Sequence, residues 1–450
     1  MFKFLKATPF DAAFSSANEV RAMRMFGPAK SEGLDISLLF PGYGSKGGHV
    51  KYLGSGPIGV IGPIRSGKGV ALFVPMCLTW QGPLIALDMK GEIIDLCGKS
   101  RLTRGPIYTI WQSHKTRGGK EFPATRFNIF DTIRWETADQ EADILLACSS
   151  LVHGRQHGII DEIATMIIYG IVKHLRREGS SITGADIFRT LARNKYGREA
   201  EKKQKEKFSN LPWWSFIKAT IAKNPTAATW EREEIIDKAH DHAFNRMSVF
   251  DDETVASMTS TTDFFIDDWQ DHNATLFFTT MPTMYDKYNH LIKAAFDTLT
   301  NRTSKNKRKT LILMPERLMI GLARVIEDPE AFAAEGKIIV TSFQSLEHMH
   351  ETYGRKSGFE NACDMIIVLG AHDHKTTDWM SKRIGATIVE SSVNRQKKIG
   401  ERPFLQPDEI NGFMKFKDEA LVFPKFRKPF GAKKIPYYER AELMRLIEGN

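Results

Sequence analysis

The sequence predicts an α/β protein in which an all-α insertion interrupts a parallel sheet, and three observations carry that expectation. Between Pro57 and Val152 short apolar runs alternate with helical stretches. Over residues ~140–250 the pattern turns to long amphipathic helices, and from "NATLFFTTMP" (Asn273–Pro282) onward strands return. Strands separated by helices imply parallel βαβ units.

Taken in order, the first fifty residues are mixed and turn-rich ("FPGYGSKGG"), a lead-in to the first strand. "IGVIG" reads as a strand, "GKGVALFVPMCLT" as a helix, "PLIALDMK" as a buried strand and "PIYTIW" as another. In "IIDEIATMIIYGIVKHLRRE", Ile160, Ile163, Ala164, Ile167, Ile168, Ile171 and Val172 recur at helical spacing. "GADIFRTLARNKYGREAEKKQKEKF" extends the helical region, and its charge run at Lys202–Lys207 reads as a solvated face or, alternatively, a polyanion contact. The later strands are "ATLFFTT", "KTLILM", "GKIIVTSF", "MIIVLG" and "EALVF". The ending, "FPKFRKPFGAKKIPYYER", is basic and aromatic, suited to a docked end segment or a contact surface.

Composition narrows the function classes. Hydrophobic residues at 42% and charged residues at 26% exclude wholesale disorder. A net charge of +9 is compatible with a polyanionic partner without requiring one. Cys77, Cys97, Cys148 and Cys363 show no metal-ligand spacing and read as small core residues in a reducing compartment. No window offers the roughly 18 consecutive apolar residues that a membrane span needs, and the start shows no signal peptide, so a soluble chain is expected. The histidine pairs in "HMH" and "HDH" stand two apart, which suits loops or strands better than a metal site. No Gly-x-Ser-x-Gly elbow is present.

The most informative stretch is "GPIRSGKGV", Gly62–Val70. Gly62, Gly67 and Lys68 satisfy G-x-x-x-x-G-K, a loop whose backbone N–H groups converge on phosphate oxygens, with a helix N-terminus behind them and a lysine as point charge. The pattern is short enough to arise by chance, so placement decides. It follows an apolar run and opens another, the strand–loop–helix order that the chemistry requires. That placement makes the stretch an expected phosphate-binding loop, with Gly62, Gly67 and Lys68 as its signature residues. Gly69 departs from the usual pattern, because the hydroxyl normally found there ligates Mg²⁺. Ser66 is the nearest candidate to replace it.

With "ALDMKGE" following, this stretch resembles the type IV secretion coupling proteins, the TraG-like family of conjugation motors, whose loop typically reads Arg-Ser-Gly-Lys-Gly-Val. Gly69 agrees with that pattern. "RFNIFD" (Arg126–Asp131) matches a family block in part, with Ile129 where proline is usual. "KIIVTSFQSLEHMHETYG", "NACDMIIVLGAHDHKTTDWMSKRIG", "ERPFLQPDEI" and "KKIPYYER" resemble later blocks, so the likeness covers roughly residues 50–440.

The resemblance implies a RecA-like P-loop motor domain with an inserted all-α domain. Residues 1–50 would be a lead-in and 51–140 the first part of the nucleotide-binding domain. Residues 141–270 would be the insertion, and 271–450 the second part with its basic tail. It further implies ATP as ligand, a hexameric ring, and DNA or a relaxase–DNA complex as cargo. The partner would be a secretion machine at the inner face of the bacterial inner membrane. Carried over from the family, Gly62, Pro63, Ile64, Arg65, Ser66, Gly67, Lys68, Gly69 and Val70 would hold the phosphates. Lys68 would neutralise the β- and γ-oxygens, and Gln344 would sit near the γ-phosphate.

The second nucleotide motif breaks the family pattern. In "TLILMPERLMIG", Glu316 and Gly321 hold their places, but Pro315 stands where an aspartate organises Mg²⁺. Glu316 retains the chemistry of a general base. With Gly69 and Pro315 together, neither usual protein anchor for Mg²⁺ is present; Asp88 is a further candidate for an indirect role. Two functions follow: a motor ATPase that drives DNA toward a channel, or a catalytically degenerate adaptor that holds nucleotide and docks cargo. The basic segments "NRTSKNKRKT", "NRQKKIGER" and "FPKFRKPFGAKK" suit phosphate contacts or plain surface solubility.

Overall fold

The computed structural model describes residues 14–15, 18–19, 26–27, 33–40, 48–152, 158–196, 229–279, 285–301, 308–315, 329–355, 358–371, 373–393, 396–414 and 418–449. Its strands are β1 (Phe26–Gly27), β2 (Leu34–Phe40), β3 (Gly48–Tyr52), β4 (Ile58–Ile61), β5 (Leu84–Leu87) and β6 (Ile107–Ile110). There follow β7 (His114–Lys115), β8 (Glu121–Phe122), β9 (Ala124–Thr125), β10 (Thr275–Phe278), β11 (Thr310–Met314) and β12 (Lys337–Phe343). The last are β13 (Met365–Val368), β14 (Ala386–Val393), β15 (Gln396–Pro403), β16 (Glu419–Pro424) and β17 (Phe430–Lys434).

Thirteen of them form one sheet in the order β1-β3-β2-β17-β16-β13-β4-β12-β11-β5-β10-β6-β9. From β13 to β9 all pairs are parallel, while β16, β17, β2, β3 and β1 add an antiparallel flank. Parallel strands are covered on both faces and so read as continuous apolar runs rather than as alternation. Here Ile58, Val60, Leu84, Ala86, Leu311, Leu313, Met365 and Ile367 pack on one side. Ile61, Ile85, Leu87, Ile312, Met314, Ile366 and Val368 pack on the other, in a core shared with the helical region.

That region lies between β9 and β10 and contains Gln140–Val152, Ile159–Arg177, Gly184–Tyr196, Thr229–Met247 and Glu253–Met258. Ile163, Ile167, Ile168, Ile171 and Val172 are buried, the apolar stripe that the spacing predicts. The run Lys202–Lys207 lies outside the described residues.

Two local differences from the sequence reading have physical causes. Leu34, Ile36, Leu38 and Phe40 of the turn-rich lead-in are buried in β2, and the polar residues between them, Asp35 and Ser37, are buried as well. Arg440, which pairs with Asp35 and bonds the Ser37 hydroxyl, is 405 and 403 residues away, beyond any local pattern. The helix after the glycine-rich loop is wound as a π-turn over Gly69–Phe73 before continuing as α-helix over Val74–Thr79. Pro75 has no N–H to donate to the regular ladder, and the turn before it widens.

The basic ending, residues 423–440, is docked: it leaves the end of β16, forms β17 and leads into the helix Ala441–Glu448. All four cysteines are buried and free.

Candidate functional site

The carboxyl end of β4 is held between two neighbours. Gly62 N–H donates to Phe343 O of β12 at 2.9 Å, and Leu369 N–H, just past β13, donates to Ile61 O at 2.8 Å. The chain then folds into a compact loop. Arg65 and Gly67 both adopt left-handed backbone, φ 65° and 89°, a conformation that carries strain for arginine and none for glycine. Ser66 N–H turns back to Pro63 O at 3.2 Å, and Ala71 N–H closes on Gly67 O at 2.8 Å to start the helix.

Lys68 folds over the loop. Its ammonium donates to Pro63 O at 2.9 Å and to Gly62 O. Ile64, Arg65 and Gly69 are exposed, while Pro63, Ser66, Gly67, Lys68 and Val70 are half-buried. Gly62 is tightly enclosed, since a Cβ there would lie 2.5 Å from Ser66 Oγ and 3.3 Å from Leu369 Cβ. Gly69 is the opposite case, with nothing within 4 Å of an added Cβ. The nine loop residues singled out by sequence are thus brought together around one concave turn at a helix N-terminus. Such a turn provides N–H dipoles and one cation for an anionic oxygen cluster.

Gln344 follows the last residue of β12, whose Phe343 pairs with Ile61, so it stands beside the loop. It is exposed, and its N–H donates to His348 Nδ1 at 3.2 Å. Pro315 follows β11, and its carbonyl accepts the Ser342 hydroxyl at 2.6 Å. Glu316 lies outside the described residues, as do residues 302–307 of the first basic segment and the side chains of 394–401 of the second.

The residues do not fit the usual Mg²⁺ arrangement. Gly69 and Pro315 carry no side-chain oxygen. The Ser66 hydroxyl is turned under the loop against Gly62, shut from solvent and with no hydrogen-bond partner among the described residues. Asp88, at the end of β5, is buried and accepts Ile94 N–H at 2.7 Å. No cluster of three or more metal-ligating side chains occurs among the described residues.

One neighbour escaped the sequence reading. Lys434, the last residue of β17, is 5% exposed and donates to Ser66 O at 3.1 Å and Leu369 O at 3.3 Å. Burial pushes its pKa down, against the opposing pull of Asp418 and Glu419. Nothing in the run "AKK" separates it from the exposed Lys433 except the alternation of a strand that also looks like a charged tail.

This sheet, its glycine-rich strand–loop–helix junction and its all-α insertion define a RecA-like α/β motor fold. Comparison with known proteins specifies it further. The chain belongs to the family described as Type IV secretory system Conjugative DNA transfer, whose model matches residues 41–448. The probable conjugal transfer protein TraG of Sinorhizobium fredii is 24% identical over 406 residues, covering 84% of this chain and 61% of that protein. Protein VirD4 of Rhizobium radiobacter is 22% identical over 426 residues, covering 86% of this chain and 58% of that protein. The chain therefore spans about three fifths of the length of these relatives.

Among solved structures, the plasmid coupling protein TrwB in complex with the non-hydrolysable ATP analogue ADPNP aligns with a TM-score of 0.65 at 16% identity. That alignment covers 97% of this chain and 95% of that one. TrwB in complex with ADP and Mg²⁺ aligns with a TM-score of 0.62 at 18% identity, over 84% of each chain. No helix among the described residues is long and apolar enough to cross a membrane.

Proposed function

We propose that the chain is a nucleotide-binding coupling protein that takes ATP in the Gly62–Val70 loop and brings DNA, or a relaxase–DNA complex, to a type IV secretion channel. In this reading residues 141–270 form the all-α domain and the flanking segments form the motor domain. The motor assembles as a hexameric ring at the inner face of the inner membrane. The observation that carries the reading is the Lys68 ammonium held over the Gly62 and Pro63 carbonyls at the head of a helix, in a chain of this family. A triphosphate tail would exchange those two weak acceptors for charged oxygens, which bind an ammonium about twice as strongly. Glu316 is the proposed general base on the attacking water, and Gln344 the residue beside the γ-phosphate. Mg²⁺, where it participates, would be held by nucleotide oxygens and water rather than by Gly69 or Pro315.

A second reading, an adaptor that holds nucleotide without efficient hydrolysis, is favoured by those same two positions. Neither supplies the oxygen ligand on which phosphoryl transfer ordinarily relies.

The test is calorimetric ATP binding and steady-state turnover of the purified chain, with and without single-stranded DNA. Binding that disappears in Lys68→Ala supports the site, and no heat with adenine nucleotides overturns it. Turnover stimulated by DNA and lost in Glu316→Gln identifies the motor. Negligible turnover that rises strongly in Pro315→Asp identifies the adaptor.

A further inference from the structure

We infer that Lys434 is a positioning residue of the phosphate-binding loop, aiming its backbone amides from behind and placing a second fixed positive charge at the site. The inference rests on the reading of Gly62–Val70 as a nucleotide site, and it deepens that reading.

The geometry starts with the peptide between Ser66 and Gly67. A trans peptide is planar, with its C=O and N–H pointing in opposite directions. Lys434 Nζ draws the Ser66 carbonyl toward β17 at 3.1 Å. The Gly67 N–H is therefore aimed the other way, out of the protein and into the concave side of the loop. Gly67, on one side of this peptide, is left-handed at φ 89°, and glycine's freedom there leaves the peptide with little intrinsic preference for its orientation. An outside hydrogen bond decides which way it faces. The second donation, to Leu369 O at 3.3 Å, ties the same ammonium to the end of β13.

The strut is itself rigidly held. Lys434 N–H donates to Asp418 O at 2.7 Å, and the next residue, Ile435, donates to Ser37 O at 3.2 Å. Ser37 in turn accepts from Arg440.

The charge points the same way. Among the described residues no carboxylate forms an ion pair with Lys434, and Asp418 and Glu419 reach it only through longer-range attraction. A buried ammonium satisfied by neutral carbonyls alone is a costly arrangement. Polyphosphate on the far side of the loop would give that charge its counterpart. In this chain, which lacks the usual metal-anchoring hydroxyl and aspartate, a second lysine behind the loop would supply part of the missing positive charge.

The experiment measures calorimetric affinities of the full chain for ATP, ADP and AMP in wild type, Lys434→Met, Lys434→Arg and Lys68→Ala. Thermal unfolding without nucleotide is followed in each. A positioning and charge role predicts that Lys434→Met weakens ATP by about tenfold, ADP by less and AMP by about twofold or less, because each added phosphate carries more charge to the loop. Lys434→Arg should recover most of the ATP affinity.

Equal losses for all three nucleotides, or unchanged affinities, would overturn the inference. If Lys434→Met does not fold, Lys434→Gln replaces it, keeping a donor without the charge, with the same ordering expected and the same two outcomes against it. Wild type that binds while Lys68→Ala does not, with Lys434→Met unaltered, sinks the strut alone. Wild type that binds no nucleotide sinks the site and the strut together.

Discussion

Arg440 Nη2 donates to Asp35 Oδ2 at 2.9 Å, joining residues 405 positions apart in the chain. Lys51 Nζ meets the same oxygen at 3.2 Å, Ser37 N–H bonds the other at 2.7 Å, and Arg440 Nη1 holds Ser37 Oγ at 3.0 Å. The network is buried and fastens the C-terminal segment, with Lys434, onto β2 and β3. It is the part of the fold in which segments from the two ends of the chain determine the backing of the Gly62–Val70 loop.

Asp35→Asn should destabilise the protein by about 3–5 kcal/mol, since it leaves Arg440 and Lys51 buried with no counter-charge. Urea unfolding measures this, and a loss below about 1 kcal/mol would show the network to be dispensable. The pH dependence has a definite sign. Burial alone would raise the Asp35 carboxyl, but Arg440 and Lys51 outweigh it and hold the pKa below the usual value. A carboxylate lowered in this way stabilises the fold above its unfolded pKa of about 3.9, and that contribution is lost as pH falls through the folded value. Acid unfolding should therefore be shallower in Asp35→Asn than in wild type.

Gly62 and Gly69 should respond oppositely to a single methyl group. Gly62→Ala puts Cβ 2.5 Å from Ser66 Oγ, and we expect ATP affinity to fall about tenfold as the loop shifts. Ser66→Ala in the same chain removes the closest atom and should restore part of the loss, a non-additive pair. Gly69→Ala, with open space around it, should leave binding within about twofold. Equal effects at the two glycines would mean that the loop is reshaped when nucleotide enters.

Much of this was legible in the sequence, for reasons that differ by element. The strands around the site are long unbroken apolar runs because both faces of a parallel sheet are covered, and each of the runs from "IGVIG" to "MIIVLG" is a strand. The compact strand–loop–helix turn was legible because Gly62, Gly67 and Lys68 at that spacing have few other uses between a strand and a helix. Lys434 was not, because a lysine used for its buried ammonium looks like any other lysine in a basic ending. Nor was the burial of Asp35 and Ser37, which depends on Arg440. Local pattern reports periodicity, and pairing across 400 residues leaves no trace in it.

Arg101 offers a test of a buried cation far from the site. It is fully buried and donates to Thr275 Oγ1 at 2.8 Å, Gly82 O at 2.7 Å and Trp80 O. Burial pushes its pKa down to about 10, which leaves it charged at neutral pH. It thereby holds the turn Trp80–Gly82 that follows the helix Val74–Thr79. Arg101→Met removes three acceptors' partner at once and should cost about 3 kcal/mol in urea unfolding. Arg101→Lys should recover less than half, because one ammonium cannot reach the span of a planar guanidinium.

His290 links the helix Tyr285–Thr300 to the end of Thr229–Met247 by donating Nε2–H to Arg246 O at 3.1 Å. Burial, reinforced by the Arg246 charge, lowers its pKa to about 4, so the native state holds it neutral. Because the folded value lies below the unfolded one of about 6.5, its contribution is complete above pH 6.5 and drains away as pH falls toward 4. Wild type should therefore lose thermal stability steadily over that interval, well before Asp35 begins to titrate. His290→Gln keeps a donor for the Arg246 carbonyl but cannot take up a proton. Its melting temperature should be lower at pH 7.5 through imperfect packing, yet fall less than that of wild type between pH 6.5 and pH 4.5, the remaining slope including that of His49, whose pKa burial also lowers. Parallel melting curves for the two proteins across that range would show that His290 is already free to protonate in the folded chain.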